Sequence, residues 1–175
     1  MTSPAIRLTA GTEAYRIGAA MLFVTLAVIV AALGFEHIGG YTPCPLCLQQ
    51  RYAYYAGVPL LFGALVLLSA GQRPWAAFIF LAVSLFFLTN AGLGIYQSGA
   101  EWKFWPGPTT CATAQPITSS AGDLFKNLGE THVIRCDEAA WRFLGLSFAG
   151  WNVLVSLLVF AGCLKAARIA SVDEQ

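Results

Sequence analysis

The sequence predicts an all-α membrane protein: a bundle of four transmembrane helices with one short and one long loop on the same side. Three observations carry this. Hydrophobic residues make up 57% of the 175 and charged residues 11%, about half the charged share of a typical soluble domain. The apolar residues gather into four runs free of Asp, Glu, Lys, Arg and His, at 17–35, 52–70, 75–96 and 143–164. Each run has the length of about 20 residues that a helix needs to cross the hydrocarbon core. A soluble bundle would instead carry polar residues at helical period on its outer face, and these runs show no such period.

The edges of each run fit the same reading. Arg16 precedes the first and Glu36 follows it. That run is long for the apolar part of a signal peptide, so it reads as a retained anchor. Arg51 precedes the second, and Arg73 with Pro74 forms a very short turn into the third. Lys165 and Arg168 follow the fourth. Tyr52, Tyr54, Tyr55, Trp75, Tyr96 and Trp141 crowd the same edges, as expected of an aromatic belt at headgroup level.

Four spans place both termini and the Gln72–Arg73 turn on one side, and the loops 36–51 and 97–142 on the other. Each side has five Lys/Arg. The side with the termini packs them closer to the spans, which favours it as cytoplasmic. The cysteines give a stronger vote. Cys44, Cys47, Cys111 and Cys136 all fall in the two loops, while Cys163 lies in the fourth run. Thiols so distributed point to an oxidising compartment on the loop side, the periplasm of a bacterium. The whole of 1–175 then forms a single domain of the bacterial inner membrane, with cytoplasmic termini and periplasmic cysteine loops. Cys163 reads as a small buried apolar residue.

Two disulfides are expected, paired loop by loop: Cys44–Cys47 and Cys111–Cys136. In the chain-entropy model the longer bridge contributes roughly 3–4 kcal/mol and a four-residue ring about 2 before strain. A CxxC bridge is a poor staple and better suited to exchanging electrons. Its context agrees. Pro45 suits the first position of a helix, which puts Cys47 in a first turn where free N–H groups favour an anion. Arg51 follows at i+4 on the same face, and a nearby guanidinium lowers a thiol pKa. Cys47 is therefore the expected thiolate of the reduced pair. An Arg51 that merely reaches out to the interface remains an equal alternative. A zinc site fits poorly, because Cys111 and Cys136 are not a close pair, and no metal is expected. A membrane protein stapled by its outer loops would explain Cys111 and Cys136, but not a CxxC beside Arg51.

Several segments resemble the DsbB disulfide-bond formation proteins of bacterial inner membranes. They are Cys44-Pro-Leu-Cys47-Leu-Gln-Gln-Arg51, Gly107-Pro108-Thr-Thr-Cys111, and Cys136-Asp-Glu-Ala-Ala-Trp141-Arg142-Phe-Leu-Gly145, continuing through Ser147-Phe-Ala-Gly150-Trp151-Asn152. The likeness spans the chain from the first run to the fourth. It implies an enzyme, a quinone-dependent protein thiol:disulfide oxidoreductase that reoxidises a soluble periplasmic DsbA-like thiol oxidase of thioredoxin fold. By the same resemblance the partner thiolate attacks Cys111–Cys136, with Cys111 forming the mixed disulfide. The thiols so formed reduce Cys44–Cys47, and Cys47 faces the quinone in a charge-transfer complex or adduct with Arg51 as counter-charge. Ubiquinone and menaquinone both stay open, and no nucleic-acid partner is expected.

Some members of that family have a His near the end of span three, where this chain has Gln97. Gln97 is the expected substitute at the quinone; it can donate a hydrogen bond but cannot take a proton near neutral pH. Glu101 is a candidate for proton transfer. His37 and His132 read as loop histidines without a role. Residues 109–120 read as a mobile stretch and 123–128 as a short amphipathic helix, on the membrane surface or packed on protein. Asn152 is expected to hydrogen-bond a neighbouring helix. Two rivals remain: a four-span thiol oxidase with a different dedicated partner, and a non-enzymatic, disulfide-stapled membrane protein.

Overall fold

The computed structural model describes residues 4–107, 139 and 141–172, with side chains from residue 11 to 171 of these. Cys111, Cys136, His132 and the stretches 109–120 and 123–128 lie outside the described residues.

Four long helices form the body: α1 (Pro4–His37), α2 (Pro45–Ser69), α3 (Arg73–Glu101) and α4 (Phe148–Val172). All four are long and apolar enough to cross a membrane. Each packs on its neighbours in sequence, and α4 closes the ring on α1. Phe23, Phe62, Phe78 and Leu158, one from each helix, are more than half exposed. Large apolar side chains facing outward on every helix suit a hydrocarbon solvent, and helices satisfy their own backbone there. The chain is a multi-pass, four-helix membrane protein.

Local chemistry sets where the helices stop. After α2, Gly71 takes a left-handed φ of 77°. Gln72 N–H donates to Leu67 O and Gly71 N–H to Leu68 O, the Schellman pattern for which glycine is favoured. Pro74 then opens α3, where its missing N–H costs nothing. The end of α3 repeats the pattern with Phe104 N–H on Gly99 O and Lys103 N–H on Ala100 O. Lys103 occupies the left-handed position there, at φ 63°.

The helices outrun the apolar runs at the loop end. α2 begins at Pro45 and so includes Cys47 and Arg51, and α3 continues past Tyr96 to Glu101. The last run behaves differently. Its first residues form a hairpin, β1 (Arg142–Phe143) against β2 (Leu146–Ser147), antiparallel with Arg142 opposite Ser147. Leu144 and Gly145 both have positive φ, 52° and 82°, as a tight two-residue hairpin turn requires. Ser147 Oγ then accepts from Gly150 N–H at 3.2 Å, a side-chain cap on the first turn of α4.

The core divides into two ends. Towards the α2–α3 turn it is dry: Leu61, Ala64, Ala76, Phe80, Cys163, Ala166 and Ala167 pack together, and Ala14, Ala77 and Ala170 form a second cluster beside them. Cys163 is fully buried in it. At the other end Gly57 and Gly94 bring helices together. A Cβ on Gly57 would sit 2.8 Å from the Phe87 ring, and one on Gly94 2.8 Å from Val153. There the interior turns polar.

Candidate active site at the Cys44–Cys47 disulfide

Cys44 is the residue that caps α2, with an extended backbone at φ −73° and ψ 160°. Cys44 Sγ accepts the Cys47 N–H at 3.1 Å. Cys44 and Cys47 are joined as a disulfide with their Cα atoms 5.0 Å apart. The N–H at the helix N-terminus thus serves the Cys44 sulfur, whereas spacing alone pointed to Cys47. Cys44 is buried, whereas Cys47 is half-buried, and both line a cavity of about 450 Å³.

Gln97 comes from α3 to meet this pair. Its Nε2 lies 3.3 Å from Cys47 Sγ and 3.4 Å from Cys44 Sγ. The amide is held by a chain of hydrogen bonds. Gln50 Nε2 donates to Gln97 Oε1 at 2.7 Å, and Asn152 Nδ2 donates to Gln50 Oε1 at 2.6 Å. Asn152 Oδ1 accepts from Tyr54 Oη at 2.6 Å and from Asn90 Nδ2 at 3.2 Å. Asn90 Nδ2 also donates to Ser156 Oγ at 3.0 Å. Gln97, Gln50 and Asn152 each use the oxygen towards the bundle interior and the nitrogen towards the disulfide, while Asn90 Oδ1 is buried with no hydrogen bond among the described residues. In this direction Gln97 turns its nitrogen to both sulfurs and to Glu101 Oε1.

Asn152 bonds neighbouring helices as its place in an apolar run suggested. Tyr54 departs from expectation. It is buried, 3% exposed, and stands edge-on to Phe87 at 5.1 Å between centroids. The tyrosine pattern of Tyr52, Tyr54 and Tyr55 suggested a belt, but a helix turns 100° per residue and only Tyr52 and Tyr55 face out.

Arg51 does not reach for solvent. Its guanidinium pairs with the carboxylate of Glu36, with side-chain exposures of 13% and 29%, and Nη2 approaches Ala32 O at 3.5 Å. Arg51, Glu36 and Cys47 line the same cavity. The ion pair answers a question the sequence left open: a charge at the end of an apolar helix needs a partner, and here it comes from α1. His37 stays on its own helix, its Nδ1 near Leu33 O at 3.1 Å and outside the cavity wall.

The remaining wall is apolar. Val28, Ile29 and Phe35 come from α1, Phe148 and Val155 from α4, and Trp141 from the segment before the hairpin. Trp141 stacks on Phe148 at 5.1 Å, and Phe35 meets that ring edge-on at 5.2 Å. The disulfide therefore opens on a cavity whose apolar and aromatic lining is of the kind common to small-molecule sites.

Comparison with known proteins agrees. A family model described as "Disulfide bond formation protein DsbB" matches residues 15–166. The chain belongs to the DsbB family. A Disulfide bond formation protein B 2 of Pseudomonas putida is 35% identical over 152 residues, covering 83% of this chain and 87% of that protein. A Disulfide bond formation protein B of an Acidovorax species is 31% identical over 161 residues, 86% of this chain and 84% of the relative. No solved structure is a significant match. Within this DsbB-family chain, the described residues bring together Cys44, Cys47, Arg51 and Gln97, all expected from sequence. Glu36, Gln50 and Tyr54 were not. Their signal was polarity in or beside apolar runs, which marks function in membrane helices.

Proposed function

We propose that the chain is a quinone-dependent protein thiol:disulfide oxidoreductase of the bacterial inner membrane, with cytoplasmic termini and periplasmic cysteine loops. It oxidises a periplasmic DsbA-like dithiol protein of thioredoxin fold. Electrons pass through Cys111–Cys136, then Cys44–Cys47, to a membrane quinone, ubiquinone or menaquinone. The observation that carries this reading is the disulfide at the wall of the 450 Å³ apolar cavity, with Gln97 and Arg51 beside it.

The cavity suits a quinone ring by its chemistry. Its walls are apolar and aromatic, its volume is within the range of small-molecule sites, and its polar edge offers N–H donors from Arg51 and Gln97 to a carbonyl oxygen. When bound, a quinone accepts two electrons and two protons. The chain's own residues do the rest. The helix N-terminus and the Gln97 amide stabilise the thiolate that thiol exchange requires. Arg51 supplies positive charge at the same wall, tempered by Glu36. The hydrogen-bonded chain through Gln50 and Asn152 keeps the Gln97 donor aimed at sulfur, so little reorganisation is needed as charge develops there.

The test is turnover of membranes or purified protein with a reduced thioredoxin-fold dithiol protein and ubiquinone. Quinol formation is expected, and Cys47→Ser is expected to abolish it while leaving helicity unchanged. Persistence of turnover in that variant removes Cys47 from its role. Trapping of the partner on a Cys136→Ala variant through Cys111 tests the order of exchange; a trapped bond to Cys44 reverses it.

A further inference from the structure

Glu101 ends α3 one turn beyond Gln97 and is 7% exposed. Its Oε1 lies 3.4 Å from Gln97 Nε2, the nitrogen that also faces both sulfurs. Its Oε2 has no hydrogen bond among the described residues, and the carboxyl belongs to the cavity wall. Burying such a group without full satisfaction is costly. Among the described residues, the groups around it are few. Cys44 and Cys47 stand at the start of α2, Ser147 and Arg142 come from the hairpin, and the Glu36–Arg51 pair and Tyr54 line other parts of the cavity. Arg51 is engaged by Glu36, and the Arg142 guanidinium lies 5.5 Å over the Trp102 ring.

The shared amide links the carboxyl to the redox state of the pair. Facing a disulfide, the Gln97 N–H groups meet weak acceptors and serve the carboxylate. Facing a thiolate, they meet a strong, charged acceptor, and a second anion beside it is disfavoured. We infer that Glu101 takes up a proton when the Cys44–Cys47 pair is reduced and releases it when the pair is reoxidised, carrying the second proton of the cycle.

The step balances and rests on the quinone reading above. On reduction, the incoming dithiol gives two electrons and two protons; the S–S bond breaks into one thiol and one thiolate, and the other proton goes to Glu101. On reoxidation the S–S bond re-forms and two electrons leave for the quinone substrate. The thiol gives up one proton and Glu101 the other, which together complete the quinol. The charge of the site is the same before and after each half.

A redox titration of the Cys44–Cys47 pair against pH, without quinone, in a Cys111→Ser, Cys136→Ser background, reads this directly. The expected slope near neutral pH is two protons per two electrons, a hundredfold change in equilibrium constant per pH unit. Glu101→Gln is expected to lower it to one proton, a tenfold change, about 30 mV per pH unit. Glu101→Asp should restore the second proton. A native slope of one proton, or equal slopes in native protein and Glu101→Gln, overturns the inference. The quinone reading fails separately: a second proton tied to Glu101, with no quinol formed by the native protein, keeps Glu101 and removes quinone.

Discussion

The two ends of this bundle are built from the same four helices and solve opposite problems. Towards the α2–α3 turn, Ala64, Ala76, Ala166 and Ala167 let the backbones close around Phe80 and Leu61. Towards the disulfide, Gln50, Asn90, Gln97, Asn152 and Ser156 run through the interior as a hydrogen-bonded chain, and a 450 Å³ cavity is left beside it. A dry, small-residue interface is how helices associate firmly in lipid. A buried polar chain is costly unless every member is satisfied, and a cavity forgoes contacts. The difference teaches that firm packing and redox chemistry are separated along the helix axes: one end holds the helices together so that the other can stay polar and hollow.

Three substitutions test that separation. Phe80→Ala, at a fully buried position of the dry end, should have the largest effect on stability, a loss of about 3–5 kcal/mol. Resistance to unfolding in detergent reads it, and the thiol chemistry of the folded fraction should be unchanged. If stability were hardly altered while quinol formation fell, the two ends would not be separate. Gln50→Leu should reverse the pattern. It removes the donor to Gln97 Oε1 and the acceptor of Asn152 Nδ2, so the Gln97 amide loses its fixed direction. Leaving such groups unpaired costs about 1–3 kcal/mol, or about a tenfold to hundredfold fall in kcat/KM for quinone reduction if it is felt at the redox step. An unchanged kcat/KM would mean the chain of amides serves packing alone. Lys165→Ala should do least. Its 3.0 Å pair with Glu13 links α4 to α1, but both side chains are more than half exposed, and such pairs contribute about 0–1 kcal/mol. A larger loss in the same unfolding measurement would show that the dry end depends on charge as well as packing.

The sequence spoke clearly about one of these ends and part of the other. Four charge-free runs fix four helices because a bilayer admits little else. The CxxC at a helix start and Arg51 one turn later were legible because their relation is local. What the helices do to one another was not. Arg51 finds Glu36 on α1, and Gln97 finds Gln50 on α2, through contacts that no single-helix pattern encodes. Gln97 stood out only through resemblance to a family with His there, and the structure shows what that amide touches. The hairpin at 142–147 was hidden by composition: Phe143, Leu144 and Leu146 are as apolar as any span, and only Gly145 hinted at a turn. Tyr54 was misplaced in the belt because two neighbouring tyrosines do face outward.

The central claim is that the Cys44–Cys47 pair delivers its electrons to a quinone held at the polar edge of the cavity. The most direct test is to reduce the Cys111→Ser, Cys136→Ser protein, remove the reductant, add ubiquinone and measure quinol. The account predicts one quinol per re-formed Cys44–Cys47 disulfide, with none when Cys47→Ser is added. Quinone that stays oxidised beside a reduced pair, or quinol formed without Cys47, would contradict it.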